Sequence, residues 1–511
     1  MRGGLRFLVT CLLLAESVAC ADDSELLFLG SQQPARITID VQIGDQRLRD
    51  LWDENFVALV SFYDRDGNGK LSEAEAARLP SKLALREVLS AGFTPTIGEA
   101  PAWKELDKNG DGVAEAAEIA GYYRSQDLGG PQIGAGLMSH TAQLNAALLK
   151  MLDANSDGAV AASELKNAAA ALDRFDRNED EVVGAGELVA GLLYPGGAGS
   201  HLLRPPHAER PQSAFAGSFG AVVLPQSRDD AFWVEAVAKR LAGEGKSSIA
   251  ANELAQQRAA AADFQVQIKF SAATGEEGAK ATPVLTLAGT KSAKAMSSLT
   301  LTKPGLLLIV CGDPGKLPEF APAYQERLQS RFSDADTNDD NALDSAEIDK
   351  AGASNWPAIL AAADRNGDEK LSEAEFQAWS AFQAKLAAGQ VMFTLLDGGQ
   401  GLFELLDANH DGALSVRELK TAHDTVAEAG ALHGNMLDLQ KLPRTFLLTA
   451  SRGYPQSVLG TIERTGPAWF LAMDRNRDGE VSQREFTGPP TAFTRLDADG
   501  DDRISATEAA K

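Results

Sequence analysis

Cysteine is almost absent from this sequence, and its scarcity excludes whole designs. Of three cysteines, Cys11 and Cys20 fall within the first twenty residues. Only Cys311 stands in the body of the chain, so neither a disulfide scaffold nor a thiolate metal site is available. Cys311 lies in the apolar run GLLLIVCG and is expected to be a buried, inert thiol. Seven methionines are too few to line an adaptable peptide groove. The six histidines, His140, His201, His207, His410, His423 and His433, are scattered, and His410 is expected to face solvent. No HExxH helix, GxSxG elbow, GxxxxGK phosphate loop or cysteine–histidine pair occurs, so no enzyme chemistry is expected. Positive charge is short as well. With 48 Lys and Arg against 72 Asp and Glu, the net charge is −24. Such a field repels nucleic acid and anionic membranes and favours cations or basic partners.

Apolar runs long enough to span a bilayer are missing too. The first residues, MRGGLRFLVTCLLLAESVACADD, place Arg2 and Arg6 ahead of a short apolar run that ends near small residues. This is the pattern of a secretory leader over 1–20, so export to a secreted, periplasmic or surface-anchored location is expected. Val18-Ala19-Cys20 also resembles a lipoprotein box, which would make Cys20 a lipid anchor.

What the chain has in excess is acid, and the acid is organised. LDANHDGALSVRELK, Leu406 to Lys420, sets an oxygen-bearing side chain at every second position, then a glycine, then a distant glutamate. Carboxylates held so close repel unless a partner neutralises them. Nine twelve-residue windows obey this rule, each with oxygen ligands at positions one, three and five, a backbone carbonyl at seven and a glutamate at twelve. The first two use Asp64, Asp66, Asn68, Lys70 and Glu75, then Asp107, Asn109, Asp111, Val113 and Glu118. The next two use Asp153, Asn155, Asp157, Ala159 and Glu164, then Asp176, Asn178, Asp180, Val182 and Glu187. After a long gap come Asp336, Asn338, Asp340, Ala342 and Glu347, then Asp364, Asn366, Asp368, Lys370 and Glu375. Asp407, Asn409, Asp411, Ala413 and Glu418 form the seventh. The last two use Asp474, Asn476, Asp478, Glu480 and Glu485, then Asp497, Asp499, Asp501, Arg503 and Glu508.

The spacing suits Ca2+, which takes six to eight hard oxygens; a bidentate glutamate at twelve suits it better than octahedral Mg2+. The flanks separate these windows from ordinary acidic turns. An apolar residue stands four places before each window, and position eight is apolar every time, from Leu71 to Ile504. Those are the core faces of an entering helix and of the short strand that joins two loops. Position six needs a positive φ. Gly69, Gly112, Gly158, Gly412 and Gly479 supply it freely, and Asn341 and Asp502 tolerate it. Glu181 and Glu369 do not, at about 1–2 kcal/mol, so the Asp176 and Asp364 loops are expected to bind more weakly. A tenth window, Ala242 to Glu253, has lost its ligands at Ala242 and Lys246 and reads as a degenerate copy.

Loop spacing predicts pairs at 51–125 (Asp64 with Asp107), 140–195 (Asp153 with Asp176), 326–390 (Asp336 with Asp364) and 440–511 (Asp474 with Asp497). The Asp407 loop is left single over 395–430, its degenerate partner placed at AEAGALHGNMLDL. A β-hairpin is expected over 21–50, a proline-containing linker over 196–230, the degenerate hand over 231–262 and a small antiparallel β-unit over 263–325. KMLDANSDGAVAASELKNA and ELLDANHDGALSVRELKTA agree at 11 of 19 positions, which points to duplication. The expected fold is therefore mainly α, tandem helix–loop–helix pairs with one small β insertion.

The loops are similar to those of the EF-hand superfamily. The ending LDADGDDRISATEAA, the preceding FLAMDRNRDGEVSQREFTGPP and LWDENFVALVSFYDRDGNGKLSEAEAARLP resemble exported bacterial multi-EF-hand proteins of planctomycete type. The resemblance implies calcium binding and export but names no partner. Calcium in a structural or buffering role is the leading expectation. A calcium-dependent interaction module, for sensing, adhesion or docking to a protein partner, is the alternative, and an enzyme regulated by such loops stands third. Relieving the strain at position six should show directly. Glu369→Gly is expected to tighten calcium binding at the Asp364 loop, read as one site of higher affinity in a calorimetric titration.

Overall fold

The computed structural model describes residues 24–90, 92, 98–138, 140–194, 221–224, 261–288, 296–352, 355–460 and 464–511. The expected leader with Cys11 and Cys20, most of the linker with His201 and His207, and the degenerate window Ala242 to Glu253 lie outside the described residues.

The strands of the two large sheets, in chain order, begin with β1 (Ser24–Leu29), β2 (Pro34–Ile43), the short β3 (Gln46–Arg47) and β4 (Gln132–Leu137). β5 (Ala221–Leu224), β6 (Phe264–Phe270), β7 (Val284–Leu287) and β8 (Ser298–Lys303) follow. β9 (Leu306–Asp313), β10 (Met392–Gly399) and β11 (Arg444–Ser451) complete the set. One sheet runs β5-β1-β2-β6-β7 with β3 on β2; the other runs β4-β10-β11-β9-β8. Both are mixed: β2 lies parallel to β6, β4 to β10 and β9 to β11, and the remaining neighbours are antiparallel.

This overturns the expectation of a mainly α chain. The fold is α/β, with strands supplying two multi-stranded sheets. The expected β-unit at 263–325 is not a unit either. β6 and β7 belong to one sheet, while β8 and β9 belong to the other, where β9 pairs with residues 444–451. Parallel neighbours need long crossovers, and here the crossovers are the helix–loop–helix segments.

β9, β10 and β11 read as continuous apolar runs because both of their faces are covered. Leu306, Leu308, Val310, Phe393, Leu395, Phe446 and Leu448 join one core, shared with the six-stranded sheet and the loops at Asp64, Asp107, Asp336 and Asp364. Their alternates Leu307, Ile309, Cys311, Leu396 and Leu447 join a second core with the loops at Asp153, Asp176 and Asp407. A third, small core around Phe470, Val481, Phe493 and Ile504 belongs to the C-terminal pair.

A single arrangement recurs along the chain: a sheet strand feeds a helix whose end is a loop. β2 leads to helix Leu48–Tyr63 and Asp64, and β4 to helix Thr141–Leu152 and Asp153. β9 leads to helix Leu317–Ala335 and Asp336, β10 to helix Leu402–Leu406 and Asp407, and β11 to helix Ala468–Met473 and Asp474. In all nine windows the position-one Asp N–H bonds the carbonyl four residues back, at 2.8–3.0 Å, so each loop starts as a helix C-cap.

Loop pairing departs from sequence spacing in one place. The loops at Asp336 and Asp364 are joined through Ala342 and Leu343 with Leu371 and Ser372, and those at Asp474 and Asp497 through Glu480–Ser482 with Arg503–Ser505. A bridge between Leu71 and Ala114 joins Asp64 to Asp107. The Asp153 and Asp176 loops, expected to pair, do not. Val182–Gly184 of the Asp176 loop pairs with Ala413–Ser415 of the Asp407 loop. The segment near Met436, placed by the sequence beside Asp407, instead bridges Ala161 of the Asp153 loop. The physical reason is the sheet. β4 and β10 are parallel neighbours, so the helices they feed lie side by side; the Asn145 side chain donates to the Gln400 carbonyl at 2.9 Å and accepts from Leu402 N–H at 2.8 Å.

In the first core, helix Leu48–Tyr63 meets helix Glu373–Ala388. Phe62 stacks on Phe382 with ring centroids 4.7 Å apart, and Trp379 packs beside them. Removing that ring leaves a void between two loop-bearing helices. Phe62→Ala is expected to lower unfolding free energy by about 3–5 kcal/mol in denaturant titrations at fixed calcium.

Candidate metal centres

Eight of the nine windows turn the position-one carboxylate inward by the same local bonds, and the Asp474 window lacks them. In the first, Asp64 Oδ1 accepts from the N–H of Gly67 and of Asn68, and Oδ2 from Gly69 N–H at 2.7 Å. Asp66 Oδ1 accepts from Asn68 N–H at 3.0 Å, and Asn68 Oδ1 from Lys70 N–H at 2.8 Å. Alternate side chains thus cap successive amides, and their remaining lone pairs converge on one point. The position-six residue takes positive φ in all nine windows, from 61° at Glu369 to 87° at Gly158, with Glu181 at 68°. Position four does the same, from 58° at Asp339 to 76° at Gly500. Position eight is fully buried in every window.

The twelfth residue closes the ring. Glu418 Oε1 accepts from Ala408 N–H at 2.7 Å and Asn409 N–H at 3.1 Å, and its Oε2 accepts from Ser415 N–H at 2.9 Å. Glu75, Glu164, Glu187, Glu347, Glu375, Glu485 and Glu508 each span their loops in the same way. Glu118 differs: it bonds only Glu115 N–H, at 3.1 Å, and does not reach across to Lys108 or Asn109. The same glutamate is the third residue of the exiting helix, so closing the loop and capping that helix are one act. A Ser or Asp at position nine followed by Glu at twelve was a readable signal of this, and spacing by ligands alone missed it.

Among the described residues, three carboxyl groups converge with ligand atoms within 4.8 Å in four windows. They are Asp64, Asp66 and Glu75; Asp176, Asp180 and Glu187; Asp336, Asp340 and Glu347; and Asp497, Asp499 and Glu508. Where position three is asparagine, its Nδ2 donates to the position-five carboxylate in six windows, as Asn409 does to Asp411 at 2.7 Å. Position seven is called on only for its backbone carbonyl. The side chains there go elsewhere: Lys70 to Glu115 at 2.6 Å, and Glu480 to Arg417 at 3.1 Å. Glu181, expected only to strain its loop, pairs with Arg503 at 3.0 Å and Arg484 at 3.5 Å.

The loops at Asp407 and Asp474 are the most enclosed. Burial pushes the Asp407 carboxyl well above the usual range, helped by the charges of Glu418 and Asp411. Burial also raises Asp411 and Glu418, and it lifts Asp478 to about 7. The buried Asp474 Oδ1 has no hydrogen-bond partner at all. Buried acids in this density are costly unless a cation joins them. The donor set is all hard oxygen and fits calcium, with Asp, Asn, Asp and Glu side chains and the position-seven carbonyl as the groups that would hold it.

Two expectations need correction beside this site. His410 is not solvent-facing. It is 9% exposed, with Nε2 3.3 Å from Thr300 Oγ1, and burial lowers its pKa to about 4. Cys311 is buried as expected, with its pKa pushed up to about 12 by burial, which leaves the thiol unreactive.

His410, Asp407, Glu404 and Thr445 border a small cavity of about 20 Å³, room for about one water. Glu404 is 4% exposed, neither carboxyl oxygen is hydrogen-bonded, and burial raises its pKa to about 7. An acid whose folded pKa lies above its unfolded value takes up a proton on folding. Stability is therefore lost as pH rises from about 4.5 through 7, then stays level. Glu404→Gln is expected to remove that loss, about 3 kcal/mol at pH 8 and little at pH 4.5. Melting temperatures of both proteins across that range check it.

The EF hand family model matches residues 400–422 and 468–487, the two most enclosed loops. No curated protein and no solved structure matches the chain. Two segments of the chain, 400–422 and 468–487, are thus similar to EF hands, and that match points to calcium as their ion.

Proposed function

We propose that the chain binds calcium through about nine loops and that the bound ions are mainly structural. The observation that carries this reading is the shared backbone: nine windows with positive φ at positions four and six, eight of them spanned by the closing glutamate. The loops terminate the helices that cover the central sheet, so ordering them orders the cores. At free calcium about ten times Kd, each occupied site adds roughly 1.4 kcal/mol. Several such contributions are comparable with the whole stability of an ordinary domain.

The reading includes export, supported by Arg2, Arg6 and the apolar run behind them, with Cys20 as an anchor in the lipidated variant. Calcium outside cells suits weak loops, which in extracellular modules bind at about 10⁻⁴–10⁻³ M. It also includes a non-enzymatic role, supported by the lack of a recognisable catalytic motif. Among the described residues no helix is long and apolar enough to cross a membrane.

Calorimetric titration of calcium into chelator-stripped protein, with far-UV circular dichroism on the same samples, tests the proposal. Close to nine ions per chain at submillimolar to millimolar Kd, with a large gain in helix, is the expected result. Glu418→Ala should lose one of those ions and leave the rest. Two or three tight ions with little change in helix would overturn the structural role.

A further inference from the structure

The loops touch each other by a second route besides the short strands that pair them. Asn476, at position three of its loop, donates from Nδ2 to the Asp180 carbonyl at 2.8 Å. Its Oδ1 stays in its own loop and accepts from Asp478 N–H. Arg503 and Arg484 meet Glu181. From the other side, Arg417 Nη1 reaches Glu480 Oε1 at 3.1 Å, and Lys420 Nζ donates to the Asp501 carbonyl at 2.8 Å. The C-terminal pair, Asp474 with Asp497, is thus seated on the pair formed by Asp176 and Asp407.

Each of these contacts has one partner in the same part of a loop, in the loops at Asp176, Asp474 or Asp497. Asp180 and Asp501 contribute position-five carbonyls, Glu181 a position-six side chain, and Glu480 and Arg503 position-seven side chains. Positions five to seven are the stretch whose backbone must be set for a loop to close. Their side chains at six and seven are spare, because closure needs only the conformation of one and the carbonyl of the other. Seating also gathers thirteen ligand carboxylates from the four loops, against five basic side chains that meet them or their neighbours, Arg417, Lys420, Arg464, Arg484 and Arg503. Those cations are fewer than the carboxylates, so divalent ions in the loops would add to what favours the seated arrangement.

We propose that residues 464–511 act as a calcium-dependent latch, whose seating on the loops at Asp176 and Asp407 couples ion binding in the two pairs. Glu181 is then kept at a strained position because it is the latch's anchor for Arg503. The inference rests on the calcium reading above, and its test separates the two.

The test is hydrogen exchange by mass spectrometry on the full chain across a calcium titration, comparing wild type with Glu485→Gln/Glu508→Gln. Disabling the C-terminal loops is expected to raise the calcium concentration that protects amides of 176–187 by about five-fold or more. Amides of 64–75, packed in the other core, should keep their midpoint. Arg417→Ala/Lys420→Ala leaves every ligand in place and removes two half-exposed contacts, so it should fold normally. It is expected to raise the midpoint for 474–508 in the same direction by a smaller factor. Unchanged midpoints at 176–187 in the first variant and at 474–508 in the second would overturn the latch while leaving calcium binding intact. Absence of calcium-dependent protection everywhere, 64–75 included, would remove both.

Discussion

The constraint on which everything else rests is that the three middle strands of the five-stranded sheet are dry on both faces. Leu306–Asp313, Met392–Gly399 and Arg444–Ser451 send alternate side chains into two different cores. Backbone groups so deep can be satisfied only inside the sheet, and each face must be covered by something apolar. The covers are helices that enter and leave the acidic loops. The loops are therefore not appendages on a finished core; they end the elements that make it a core. Loosening a loop frees the helix end that its position-one aspartate caps, and with it part of the cover.

The closing glutamate carries a second dependence. One oxygen holds the second and third amides of its loop and the other holds the first turn of the exiting helix, as Glu418 does. These bonds keep the ring near its final shape and hold the carboxylate where a cation would need it. What they do not do is neutralise the neighbours. At Asp407 and Asp478 burial, with the neighbouring carboxylates behind it, drives the carboxyls towards their protonated forms. Geometry is thus set by the chain, while charge balance is left to a partner. That division favours a divalent ion over a change of backbone as the missing element.

The nine loops were legible because everything that defines one is contiguous. Ligand spacing, the apolar residue at position eight and the demand for positive φ all fall within twelve residues, and the burial and the φ were met where expected. The sheets were not legible for the opposite reason. A strand buried on both faces has no alternation to reveal which side it presents. Its partners lie far away, as Leu306 pairs with Arg444. The apolar runs GLLLIVCG and RTFLLTASRG could be read as strands, but nothing local says that they are neighbours. Equal spacing misled for the same reason. Asp153 to Asp176 is as short as Asp474 to Asp497, yet the first two loops pair with other parts of the chain because β4 lies beside β10. Position four of the loop was misread more simply. A left-handed residue can direct its side chain inward where a neighbouring element closes over it, as Thr300 does over His410.

Glu181 and Glu369 show how local and tertiary terms can be confused. Both occupy a position made for glycine, with φ of 68° and 61°, and intrinsic strain alone ranks their loops as equally weak. Their surroundings differ. Glu369 is exposed, so its strain is uncompensated by any gain that depends on its side chain. Glu181 is mostly enclosed between Arg503 and Arg484, and an ion pair at 13% and 12% exposure is screened far less than one in open water. A glycine there would relax the backbone and leave Arg503 without its carboxylate partner at 3.0 Å. The same departure from the motif is therefore a defect in one loop and a contact in the other. Which one it is depends on a residue 322 positions away, where no reading of a twelve-residue window can look.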